Sequence, residues 1–229
     1  MSSLVYFGLT LIIAVVDTLF KQEPWYTVTN IALRIVIILP LIFAVIKGRS
    51  QYADLLRRTL WVVIIADSLL PVVFPAGMIA FLIVHILNSY NFYQHVELAR
   101  ARLASVIVPA VIAFGVALAL YVFTLLPALD ELFSVLVGVY LVPIALAWSL
   151  SITSYVQSRT RWARAASLGM LLFFLTDYQV AVEFLTKTSI SYYGLINAVT
   201  YYAGLFLMSH ATRYISEREA GGGNSVGHA

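Results

Sequence analysis

Cysteine is absent from the 229 residues, which excludes disulfides, thiolate nucleophiles and cysteine-based metal sites. Charge is scarce as well. Only 11% of residues are Asp, Glu, Lys or Arg, against about 25% in an ordinary soluble domain. No H-E-x-x-H pair and no glycine-rich phosphate loop is present, and no Ser-His-Asp set is evident by spacing. The last long apolar run, 190–213, has no lysine to hold retinal. The first apolar segment, "LVYFGLTLIIAVVDTLF", lacks a basic flank and a small-residue cleavage site, so it reads as a retained helix.

What fills the chain is apolar. Hydrophobic residues make up 62% and the mean hydropathy is +0.92, the composition of an integral membrane protein. A pI near 9.1 follows from basic residues around the membrane, and no nucleic-acid partner is implied. The apolar runs are continuous rather than alternating, which argues for helices against a β-barrel. At about 20 residues per crossing, eight spans are expected: 4–20, 27–46, 56–73, 75–93, 104–124, 131–155, 163–182 and 190–213. The fold class is therefore all-α, a polytopic bundle of eight transmembrane helices.

Charge placement orients it. Lys47, Arg49, Arg57, Arg58, Arg100, Arg102, Arg159, Arg161, Arg164, Arg213 and Arg218 fall on one side; only Lys21 and Lys187 fall on the other. Positive charge marks the cytoplasmic side, so both termini are expected in the cytoplasm. The domain plan is a helical domain over 1–215 and a polar, glycine-rich tail over 216–229, expected to be disordered. The expected location is a multi-pass protein of a cell membrane, the inner or plasma membrane in a bacterium.

Polar residues inside the spans carry the functional signal. Arg34, Asp67, His85, Tyr140, Asp177 and Tyr201 each lie seven to ten residues from the outer end of their helix. That places all six roughly 10–15 Å below the outer surface. Tyr140 and Tyr201 have an ordinary reading among 14 tyrosines, as packing aromatics. His85 reads equally as an interhelical hydrogen-bonder, and Arg34 as a neutraliser of a carboxylate. The aspartates differ, because an ionisable residue at membrane depth costs from about 2.5 to over 10 kcal/mol. Asp17, near the outer end of its helix, reads as water-exposed.

Two buried carboxylates near one another hold a shared proton, since two like charges resist coexisting. One residue type then supplies both a general acid and a general base. Metal ligation by Asp67, His85 and Asp177 and proton-coupled transport remain alternatives at this point. The spacing of Asp67 and Asp177, each in an odd-numbered helix, also points to a four-plus-four helix repeat.

The motif A-D-S-L-L at 66–70, followed by Gly77, Phe81 and His85, resembles the G-D-x-x-L … G-x-x-x-F-x-x-x-H signature of the YhhN family, the lysoplasmalogenases. "GMLLFFLTDYQVAVEF" (169–184) and "VTYYAGLFLMS" (199–209) resemble its later motifs. The resemblance implies hydrolysis of the vinyl ether bond of lysoplasmalogens, with a lysophospholipid in the bilayer as substrate and no cofactor or metal. It implies Asp67 and Asp177 as catalytic residues, with Arg34, His85, Asn88, Tyr140, Tyr201 and Tyr202 supporting them. Differences from the motif are Ala66, Thr176, Asn88 and Leu205, where glycine, serine, tyrosine and glutamine are usual, and Asn30-Ile31 in place of Lys-Pro. Other function classes that fit the residues are a proton-coupled carrier of small amphiphiles and a catalytically silent lipid-binding relative.

Overall fold

A computed structural model describes residues 3–20, 23, 25–46, 50–97, 102–186, 188 and 192–222. Among them the chain is all-helical. The elements are α1 (Ser3–Leu19), α2 (Tyr26–Ile46), α3 (Gln51–Leu69), α4 (Phe74–Tyr93), α5 (Leu103–Leu120), α6 (Glu131–Ser158), α7 (Arg161–Leu185) and α8 (Tyr193–Gly222). A π-helical turn, Tyr121–Leu125, and a 3-10 turn, Leu126–Ala128, finish α5.

Local signals explain the boundaries. Ser50 caps α3 by accepting the amide of Ala53 at 3.2 Å, so α3 starts inside the polar "KGRSQYAD" stretch rather than at 56. Asp130 does the same for α6 through the amide of Phe133 at 2.8 Å. Pro75 sits in the first turn of α4, where no hydrogen bond is lost. Arg159 takes a left-handed backbone, φ 52°, and stops α6. Helix α8 runs on to Gly222, past residue 215 where the sequence places the end of the helical domain. Lys21, Lys47, Arg49, Arg100, Lys187 and residues 223–229 lie outside the described residues, and so does the side chain of Arg218.

The expectation of eight spans is corrected in part. Among the described residues, α2, α4, α5 with its terminal turns, α6 and α7 are long and apolar enough to cross a membrane. Helix α1 is apolar but has 17 residues. Helix α3 carries Asp54, Arg57, Arg58 and Asp67, and α8 carries Asn197, Ser209, His210 and Arg213. A helix with polar groups paired inside a bundle need not be apolar all round. The chain is a membrane protein with a helical core.

Helices α2, α3, α4, α6, α7 and α8 form a ring, each against the next, with α8 returning to α2. Helix α1 sits outside α2 and α8, and α5 sits outside α6. Two close approaches fix this ring. A Cβ on Gly77 would lie 2.4 Å from the Cα of Leu70, so the short turn from α3 into α4 closes only over glycine. A Cβ on Gly169 would meet the carbonyl of Gly204 at 2.8 Å, and one on Gly204 the carbonyl of Gly169 at 2.9 Å. Small residues let α7 and α8 touch backbone to backbone, as membrane helices do.

Candidate active site

The ring brings Asp67 and Asp177 to one cavity of about 320 Å³. Each is held by two side chains, one from the preceding helix and one from the opposite half of the chain.

Asp67, 2% exposed, accepts from Arg34 Nη1 on α2 at 2.9 Å and from the Tyr201 hydroxyl on α8 at 2.6 Å. A guanidinium and a hydroxyl both donate to this carboxylate. Asp177 has different company. Its Oδ2 accepts from the Tyr140 hydroxyl on α6 at 2.5 Å and lies 2.6 Å from His85 Nε2 on α4. Tyr140 and His85 also touch, at 2.8 Å. The contact between Nε2 and Oδ2 needs one proton between its two atoms. The imidazole tautomer decides which of the two atoms carries it.

All six residues expected in one layer therefore meet, as two triads: Arg34–Asp67–Tyr201 and Tyr140–Asp177–His85. His85 is fully buried behind Asp177 and does not line the cavity wall. Asn88 and Tyr202 are buried too, and neither lines it. Tyr202 contributes its carbonyl, which accepts from the Tyr6 hydroxyl at 2.9 Å and ties α8 to α1.

The reading of Asp17 as water-exposed is corrected. It is 8% exposed, accepts from the Tyr26 hydroxyl at 3.0 Å and from the Asn30 side chain, and faces Arg34 Nη2 at 3.9 Å. Arg34 also donates to Asn30 Oδ1 at 2.6 Å. One cation thus bridges two carboxylates and an amide. The signal was helical phase: Tyr6, Thr10, Ile13 and Asp17 share one face of α1, and all are buried. Tyr26, Asn30 and Arg34 likewise stand on one face of α2 at four-residue steps. A further residue missed from sequence is Asn197, one turn before Tyr201 on the cavity wall, whose amide nitrogen is buried without a protein partner.

The cavity is two-sided. Asp17, Asn30, Arg34, Asp67, Asn197 and Tyr201 form a polar wall on α1, α2, α3 and α8. Ala117, Leu120, Leu125, Val137, Leu141 and Ile144 form a mainly apolar wall on α5, its π turn and α6, broken by Tyr121 and Tyr140. Asp177, on α7, lines the same cavity. Such a space fits an amphiphile with its polar part toward α2 and its chain toward α5. Among the described residues no three of His, Cys, Asp and Glu converge to hold a metal ion.

The sequence profile of the YhhN family matches residues 26–212, which include every residue of both triads. No curated protein and no solved structure matches the chain.

Proposed function

The chain belongs to the YhhN family, and from that premise we propose that it is a multi-pass membrane hydrolase cleaving the vinyl ether bond of lysoplasmalogens. The observation that carries this reading is the pair of aspartates in unlike company on one two-sided cavity. A vinyl ether needs an acid at carbon and a base for water, and the two triads supply one of each.

In this mechanism the alkyl chain lies along α5 and α6, and the glycerophospho-ethanolamine or -choline part lies toward α2. The proton held by Asp177 and His85 goes to the vinyl carbon β to oxygen, leaving an oxocarbenium ion. Asp67 faces that cation as an anion and takes a proton from water as it adds at the carbon bearing oxygen. The resulting hemiacetal returns its hydroxyl proton to Asp177. The proton on Asp67 passes to the ether oxygen as the C–O bond breaks. Fatty aldehyde and a glycerophospho-alcohol leave, and both aspartates regain their starting state. Tyr140 orients Asp177, Tyr201 and Arg34 orient Asp67, and the unpaired amide of Asn197 is placed to donate to a substrate oxygen or the attacking water. The matching make-up of the two triads supports a four-plus-four helix repeat in a polytopic bundle with both termini in the cytoplasm.

Matched substrates test it. Purified protein in detergent should release fatty aldehyde from lysoplasmenyl-ethanolamine and leave the saturated 1-O-alkyl analogue intact, since only the vinyl carbon accepts a proton. Equal handling of the two lipids, or aldehyde from neither, would overturn the reading. Transport of the intact lipid with no aldehyde would favour a carrier instead.

A further inference from the structure

The cavity has an aromatic end. Tyr26, Phe74, Phe184 and Tyr193 all line it. They stand at the start of α2, α4 and α8 and at the end of α7. The Phe74 and Phe184 rings stack with centroids 5.6 Å apart, and the Phe184 and Tyr193 rings meet edge-on at 6.3 Å. Phe184 is 47% exposed, so this end of the cavity reaches the surface.

Its distance from the aspartates can be counted along unbroken helices. Tyr26 precedes Arg34 by eight residues on α2, and Tyr193 precedes Tyr201 by eight on α8. Phe184 follows Asp177 by seven on α7. Helix rise then sets the rings about 10–12 Å along the bundle from the two triads. In a lysophospholipid the headgroup nitrogen lies about ten bonds from the vinyl ether carbon, a reach of about 12 Å when extended. With the ether at the triads, the nitrogen falls among the rings.

The chemistry of this end selects among headgroups. Among the described residues, the acidic and basic side chains on the cavity are Asp17, Asp67, Asp177 and Arg34. Three carboxyl groups and one guanidinium favour a cation over an anion. Asp17 stands beside the rings, since a Cβ on Gly194, next to Tyr193, would lie 2.9 Å from its Cβ. Its Oδ1 already accepts from Tyr26 and Asn30, and its Oδ2 faces Arg34. A primary ammonium brings three N–H donors that need acceptors once they leave water. A trimethylammonium brings none, and aromatic faces hold it. We propose that the aromatic end is a subsite for the quaternary ammonium of a choline headgroup, so that lysophosphocholines bind in preference to lysophosphoethanolamines. The assignment rests on the proposed hydrolase reading, which sets where the ether lies.

Lipids with a saturated ether test the subsite by binding alone, without turnover. In maltoside-purified protein, 1-O-alkyl lysophosphocholine should bind about tenfold tighter than the matched lysophosphoethanolamine, the factor a desolvated cation–aromatic contact supplies. Tyr193→Leu and Phe184→Leu should each make the two lipids bind equally by weakening the choline lipid alone. Tyr193→Phe keeps the ring and should keep the preference. Undiminished binding of the ethanolamine lipid by Phe184→Leu shows that this variant is folded. Equal binding of the two lipids to the unaltered protein, or an unchanged preference in both leucine variants, would overturn the subsite. Free choline bound as tightly as the choline lipid would overturn it too, since the rings would then serve a soluble ammonium. A choline preference in protein that releases no aldehyde from lysoplasmenyl-choline would support the subsite and overturn only the hydrolase reading. Aldehyde released with equal kcat/KM from the choline and ethanolamine lysoplasmalogens would overturn the subsite and leave the hydrolase.

Discussion

Asp67 and Asp177 are one residue type in two unlike settings. Arg34 lies 2.9 Å from Asp67, whereas Asp177 meets His85 and Tyr140, and the proposed mechanism makes the first the base and the second the acid. The two asparagine variants should therefore behave differently in stability. Asp177→Asn keeps the shape and removes a costly acid, so its melting temperature should match or exceed that of the unaltered protein. Its aldehyde release should fall at least about a hundredfold, the lower bound for losing a general acid. Asp67→Asn removes the close partner of a buried guanidinium. It should cost about 3 kcal/mol, the low end for a broken buried pair, because Asp17 stays at 3.9 Å. Thermal melts in detergent read this directly, and a rise in melting temperature for Asp67→Asn would show that Arg34 does not depend on it.

At the scale of helices, the glycines set where the aspartates stand. Gly77→Ala pushes a Cβ into the Leu70 backbone, one turn beyond Asp67. It should destabilise by about 1–3 kcal/mol, as overpacking does, and it should lower aldehyde release by moving Asp67 away from Asp177. Full activity in Gly77→Ala would detach this turn from the site. Most helix positions were legible in the sequence, because apolar runs, caps and proline positions act locally. The shared depth of Arg34, Asp67, His85, Tyr140, Asp177 and Tyr201 was legible for the same reason, since depth needs only a count along each helix. Pairing was not legible. Which aspartate meets Arg34 depends on how the ring closes, and that is decided between helices. Asp17 was misjudged because depth was weighed without helical phase, and its face of α1 turns inward with Tyr6 and Thr10.

For the whole molecule, the ring places unlike walls around one cavity and leaves α5 outside α6 with much of its surface apolar. The orientation proposed for it makes a plain forecast. Reporter fusions at Lys47, at Arg100 and after Ala229 should all register in the cytoplasm, and an external signal from any of them would undo the orientation. The central claim is that a carboxylate pair cleaves a vinyl ether by passing a proton to carbon. Mass spectrometry of the aldehyde that purified protein releases from lysoplasmenyl-ethanolamine in D2O tests it most directly. The account predicts one deuterium on the carbon beside the carbonyl, and no aldehyde from Asp177→Asn or Asp67→Asn. Aldehyde without that deuterium, or turnover retained in either variant, would contradict it.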